Sequence, residues 1–169
     1  MRGTAPNQGA DLTITRGAPM LTTIAITDYI EYSGASVMPE TPLDDAVNQL
    51  LASKLDGIPV VNAQGQMVGF LSEQDCITSM LNASYYCDTR TQVSEVMVQQ
   101  PTVVVVNARD TVVEVAEKMI RNRHHVYPVM GGDGKLVGVI SRTDILRALQ
   151  AHLSVCSLPT HAQHSAHTH

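Results

Sequence analysis

Val126-Tyr127-Pro128-Val129, then the turn Gly131-Gly132-Asp133-Gly134, then Lys135-Leu136-Val137-Gly138-Val139-Ile140-Ser141-Arg142-Thr143-Asp144: this stretch decides how the chain folds. Two short apolar runs flank a glycine-rich turn, and a Ser-x-x-Asp step opens a helical pattern through Ile145, Leu146 and Leu149. The same grammar occurs earlier, as Ile58-Pro59-Val60-Val61, Asn62-Ala63-Gln64-Gly65 and Val68-Gly69-Phe70-Leu71-Ser72-Glu73-Gln74-Asp75. Pro59 recurs as Pro128, 69 residues on; the same offset, without a gap, carries Gly65 to Gly134, Val68 to Val137, Gly69 to Gly138, Ser72 to Ser141 and Asp75 to Asp144. An ungapped internal repeat fixes the architecture before any other feature is weighed.

Working outward, each copy reads as β-α-β-β-α. Ser36-Val37-Met38 predicts a short strand, and Thr41-Pro42-Leu43-Asp44 a helix start with Thr41 as N-cap, Pro42 in the first helical position and Asp44 in the third. Ala46, Val47, Leu50 and Leu51 form its apolar stripe. In the second copy, residues 102–106 predict a strand buried on both faces, Asp110 a cap, and Val115, Ala116, Met119 and Ile120 the stripe. Strands at 58–61 with 67–71, and at 126–130 with 136–140, form a hairpin in each copy. Closing helices are expected at 73–81 and 142–153. Thr27-Asp28-Tyr29-Ile30, with Thr27 as cap, and Ser94-Glu95-Val96-Met97 read as equivalent helical turns.

The chain resembles a known family at this point: the tandem cystathionine β-synthase (CBS) domain, or Bateman module. The resemblance implies an α+β fold in which two pseudo-symmetric β-α-β-β-α repeats pack as one unit. The expected division is a disordered tail at 1–22, the first repeat at 23–84, a linker at 85–93, the second repeat at 94–153, and a second tail at 154–169. That last tail holds His161, His164, His167 and His169, which are read as tail rather than as a metal site.

Composition narrows the function. A net charge of −5 opposes a phosphate-backbone binder, and one Phe, five Tyr and no Trp leave little for stacking on single-stranded nucleic acid. No run approaches the ~18 apolar residues of a membrane span, and the first twenty residues lack the apolar core of a secretory signal. Cys76, Cys87 and Cys156 are an odd set at unrelated spacings, the pattern of reduced thiols in a cytoplasmic protein. No phosphate loop, dinucleotide glycine pattern or His-Glu-x-x-His occurs, and no base accompanies the cysteines in sequence, so the expectation is a non-enzyme without a required cofactor or metal.

Ser141-x-x-Asp144 has two readings. Alone, it is a capping box with Asp in place of the usual Glu. Yet it stands where a strand turns into a helix N-terminus, which favours an anion. In the CBS family, the resemblance implies, the aspartate holds a ribose and the hydroxyl a ribose or phosphate, in a cleft between the repeats. The resemblance thus marks Ser141, Arg142, Asp144, His125, Val126, Tyr127 and Pro128 as ligand-binding in the second copy, and Ser72, Asp75, Gly57, Ile58 and Pro59 in the first. Gly138 is expected to permit close approach. Arg121, Arg123, His124, His125 and Arg142 make the second site cationic; Glu73 and Asp56 make the first acidic, with Lys54 its one nearby cation. A phosphate should therefore choose the second site. The implied function is a regulatory sensor of AMP, ADP or ATP, with S-adenosylmethionine as a further candidate ligand, acting on an unknown protein target. The other reading is a ligand-free scaffold for dimerisation or protein contact. Ile145, Leu146 and Leu149, with Cys76, Ile77, Met80 and Leu81, form stripes broader than one small sheet needs, which predicts a homodimer.

Overall fold

A computed structural model describes residues 23–32, 35–86 and 90–156; the tail expected at 1–22 and residues 157–169 of the one expected at 154–169 lie outside them. Helix α1 is Leu43–Ser53, followed by strands β1 (Gly57–Val61) and β2 (Met67–Ser72) and helix α2 (Glu73–Tyr86). The second copy opens with β3 (Val98–Gln99) and β4 (Val106–Asn107), then α3 (Val112–Asn122), β5 (Val126–Met130), β6 (Leu136–Ser141) and α4 (Arg142–Cys156). β1 and β2 pair antiparallel from Gly57↔Ser72 to Val61↔Met67, and β5 and β6 from Val126↔Ser141 to Met130↔Leu136, each with a shift before its last pair. The two hairpins thus repeat each other pair for pair. Gly65 and Gly134 each have φ of 76°, the left-handed conformation that lets these turns close.

The sheets reveal an exchange that the repeat pattern conceals. β3 opens the second copy in sequence but pairs with β2 of the first, Gly69↔Gln99 and Phe70↔Val98. Reciprocally, Glu31 pairs with Val139 of β6. Ile26 and Ile30 are buried in the second copy's core with Val106, Val112, Val115, Tyr127, Val129 and Ile140. Val93 is buried in the first copy's core with Val37, Leu43, Leu50, Ile58, Val60 and Leu71. The helix starts follow suit: Val112 N–H donates to Ile24 O at 2.8 Å, and Leu43 N–H to Thr91 O at 2.9 Å. Each opening segment therefore completes the other copy's sheet and core, and the two repeats form one packed unit.

This exchange gives Gly69 and Gly138 their role. A Cβ at Gly138 would stand 2.4 Å from Glu31 O and 2.8 Å from Ile30 Cγ2; at Gly69 it would stand 2.6 Å from Val98 O and from Met97 Sδ. Gly138 permits the expected close approach, and what approaches it is the exchanged backbone. Gly138→Ala should cost about 1–3 kcal/mol by overpacking, and Gly69→Ala the same. Urea denaturation of the two variants measures it; a change below about 0.5 kcal/mol in both would mean the segments cross with room to spare.

Several local expectations change. The 3-10 turns are Ile26–Asp28 and Val93–Glu95, and Thr27 does not cap the first, which Ala25 precedes without a side-chain bond. Pro42, not Thr41, is the residue before α1, and Thr41 Oγ1 accepts instead from Met38 N–H at 3.1 Å. Asp110 is likewise taken by its own turn, accepting from Asn107 N–H at 3.0 Å; Thr111 caps α3 in a reciprocal box with Glu114. In both cases a nearer backbone donor claimed the side chain. Of the expected 102–106 run only Val106 is strand, together with Asn107 just beyond it, and Val103, Val104 and Val105 are half-buried. Val37 makes a single parallel bridge to Val60. Both closing helices outlast their expected ends, because neither 82–86 nor 154–156 contains a Gly or Pro to stop them; α2 thus enters the stretch read as linker, of which 87–89 lie outside the described residues.

Candidate functional site

In both copies the Ser-x-x-Asp step sits where an edge of the hairpin becomes a helix. Ser141 N–H and Oγ–H donate to Asp144 Oδ2 at 2.8 and 2.6 Å, and Asp144 N–H donates back to Ser141 Oγ at 3.2 Å. Ser72 and Asp75 repeat all three bonds at 3.2, 2.6 and 3.1 Å. The capping-box reading of these residues is realised in full. It uses one carboxylate oxygen; the other, Oδ1 of Asp144, remains directed elsewhere, 3.6 Å from Arg147 Nη1.

A cleft of about 460 Å³ opens beside Asp144, lined by Glu31, Lys54, Leu55, Asp56, His125, Val126, Ser141, Arg142, Thr143, Asp144 and Arg147. Its walls come from both copies, because the α1–β1 loop reaches across to the second copy's β5 and α4. Asp56 Oδ2 and His125 Nδ1 form a short contact there. These two residues are equivalent positions of the repeat, so their meeting marks the pseudo-two-fold axis at the rim of the cleft. Half-exposed on both sides, such a pair contributes little to stability, on the order of 0–1 kcal/mol.

Of the sequence-assigned residues, the cleft brings together Ser141, Arg142, Asp144, His125 and Val126. Tyr127 and Pro128 do not join them: Tyr127 is fully buried in the second core, its hydroxyl accepting from His124 N–H at 3.3 Å, and burial pushes its phenol above the ordinary value. Pro128 is buried too. In the first copy, Ile58 and Pro59 are buried and Gly57 lies under the Phe70 ring, whose Cε1 is 2.3 Å from where a Cβ would be. Ser72 and Asp75 remain half-buried at that copy's helix start.

The expected charge division fails in its details. Lys54 and Asp56, assigned to the first site, line the second copy's cleft, because the loop crosses the axis. Arg123 lies instead along an apolar groove with Ala116, Met119, Ile120, Ile145, Leu146 and Leu149. Arg121 pairs with Glu117 at 4.0 Å, and His124 packs edge-on against Tyr127 with ring centres 5.8 Å apart. The cleft thus sets Lys54, Arg142 and Arg147 against Glu31, Asp56 and Asp144, a balance of charges rather than a cationic bowl. Sequence reasoning missed Glu31, Leu55, Thr143 and Arg147. Arg147 carried a signal, since a basic residue three positions after Asp144 shares its helix face.

Cys76 offers no chemistry. It is 4% exposed, and burial, with Asp75 and Glu73 nearby, pushes its thiol up to about 11. Only the thiolate is nucleophilic, so Cys76 should stay unalkylated by iodoacetamide at pH 8 in the folded protein and react once it is unfolded. Peptide mass mapping reads this out; rapid labelling without denaturant would show that α2 opens. Among the described residues no group of three or more His, Cys, Asp or Glu side chains is arranged to hold a metal ion, and no helix is long and apolar enough to cross a membrane.

Comparison with known proteins agrees with this architecture. The family model for the CBS domain matches residues 24–82 and 93–151. The chain is similar to an uncharacterized protein, MJ1225, of Methanocaldococcus jannaschii, 25% identical over 124 residues that span 73% of this chain but 42% of that protein. It is also similar to the chloroplastic CBS domain-containing protein CBSX1 of Arabidopsis thaliana, 25% identical over 137 residues, 66% of this chain and 57% of that one. The chain therefore spans less than two thirds of the length of these relatives. Among solved structures, CBSX2 in complex with AMP is similar with a TM-score of 0.65 and 25% identity, over 76% of this chain and 97% of that one.

Proposed function

The chain belongs to the CBS domain family, two of whose domains occupy most of its length, and from that premise we propose that it is a regulatory, non-catalytic module that binds an adenine nucleotide in the cleft between its repeats. The observation that carries this reading is Asp144. Its Oδ2 is spent on the helix cap, while Oδ1, outside the cap and 3.6 Å from Arg147 Nη1, would accept from vicinal ribose hydroxyls in a cleft that both repeats wall. The volume, about 460 Å³, falls within the range of ~300–1,000 Å³ usual for small-ligand sites. The similarity to CBSX2, solved with AMP, supports the ligand class. AMP, ADP and ATP are the proposed ligands, with S-adenosylmethionine as the competitor to test against them. Neither a resident cofactor nor a metal enters the proposal. Because loops from both repeats wall the cleft, a ligand that contacts both favours one angle between them, and shifts that equilibrium by its differential affinity for the two arrangements. A protein target in the cytoplasm would respond to that angle.

A thermal-shift panel of the four ligands tests the reading. At 100 times its dissociation constant, a ligand adds roughly 2.7 kcal/mol to stability. A shift with at least one adenine nucleotide is the expected result; no shift with any of them favours the scaffold reading.

That second reading has its own support. Leu51 and Ile77 on α1 and α2, and their repeat equivalents Ile120 and Leu146 on α3 and α4, are 65%, 59%, 77% and 67% exposed. Two equivalent apolar faces suit a self-complementary homodimer, which is compatible with ligand binding and does not require it.

A further inference from the structure

Arg147 lines the cleft and lies 3.6 Å, through Nη1, from Asp144 Oδ1. That oxygen is the one a ribose would need, because Oδ2 is held by Ser141. Arg142, the other arginine of the cleft, is tethered: its Nε donates to His124 O at 3.0 Å. Among the described residues Arg147 has no such tether to backbone, and its side chain is 71% exposed. The first copy has no counterpart, since Thr78 stands at the equivalent position and turns its hydroxyl to Gln74 O at 2.9 Å.

We propose that Arg147 makes the cleft selective for phosphorylated nucleosides over unphosphorylated ones, an inference that rests on reading the cleft as a nucleotide site. The guanidinium pairs with Asp144 Oδ1. A ribose that binds Oδ1 displaces it. A nucleoside offers the displaced cation nothing in return, so the lost ion pair counts against binding. A nucleotide supplies a phosphate in the same cleft, and the guanidinium exchanges one anion for a more highly charged one whose oxygens match its fork of donors. One residue thus opposes the nucleoside and favours the nucleotide.

Titration calorimetry of the full chain with AMP and with adenosine, for the wild type, Arg147→Ala and Arg147→Lys, tests this. The wild type should bind AMP more tightly than adenosine. Arg147→Ala should lower AMP affinity about tenfold or more while leaving adenosine affinity unchanged or raised, because Asp144 loses its internal competitor; Arg147→Lys should recover part of the preference. Equal losses for both ligands in Arg147→Ala, or no change for either, would overturn the assignment, as would a wild type that binds the two alike, although the adenosine site itself would stand. A wild type that binds neither ligand would remove the nucleotide reading and this inference together.

Discussion

Replacing Ile26 by alanine should destabilise the protein by about 2–5 kcal/mol, the usual range for truncating a buried isoleucine, and should loosen the second repeat rather than the first. Ile26 belongs to the opening segment of the first repeat, yet it is fully buried among Val106, Val112, Tyr127, Val129 and Ile140 of the second. A neighbouring bond, Ile26 N–H to Asp110 O at 3.2 Å, ties the same turn to the second repeat's loop. Urea denaturation gives the magnitude. Native-state hydrogen exchange gives the location: faster exchange is expected in α3, β5 and β6 than in α1, β1 and β2. Val93→Ala, in the first core, should show the mirror-image pattern. If each variant loosened the repeat that it adjoins in sequence, the exchange of opening segments would be wrong.

Asp144→Asn should weaken nucleotide binding by roughly 10- to 150-fold, the equivalent of the ~1.5–3 kcal/mol carried by a hydrogen bond to a charged group. The asparagine carbonyl can still accept from Ser141 N–H and Oγ–H, so the cap survives in a weaker form. The amide then takes the place of Oδ1, turning a charged acceptor in the cleft into a neutral donor beside Arg147. Loss of the carboxylate at the helix N-terminus should itself cost only about 0.3–1 kcal/mol. Asp75→Asn should leave the affinity of the second-repeat cleft intact, since Asp75 is absent from its lining. Calorimetry and thermal unfolding of the same samples separate the two roles of Asp144. A lower melting temperature with unchanged affinity would reduce Ser141 and Asp144 to a cap and nothing more.

The fold was legible because punctuation repeats. Pro59 and Pro128, Gly65 and Gly134, and the two Ser-x-x-Asp steps mark strand, turn and helix start, and the structure forms the same register in both hairpins. The exchange of opening segments was not legible. Residues 24–31 and 91–99 are short, with four or five apolar side chains each, and nothing in their own pattern says which of two similar cores they enter. Caps were misread for a local reason: Thr41 and Asp110 had nearer backbone donors than the helices they precede. At the site, the Ser-x-x-Asp core was readable because its chemistry is local. Lys54 and Asp56 were assigned to the wrong copy because a loop crosses the pseudo-two-fold axis, a fact of packing that spacing along one chain does not carry. The meeting of Asp56 with His125 records that crossing directly.

The most direct measurement is hydrogen-exchange mass spectrometry of the full chain with and without saturating AMP. Binding in the cleft predicts slower exchange in peptides covering 54–56, 125–126 and 141–147, with 73–78 in the first repeat unchanged. No protection anywhere, or protection confined to 73–78, would contradict the assignment of this cleft as the nucleotide site.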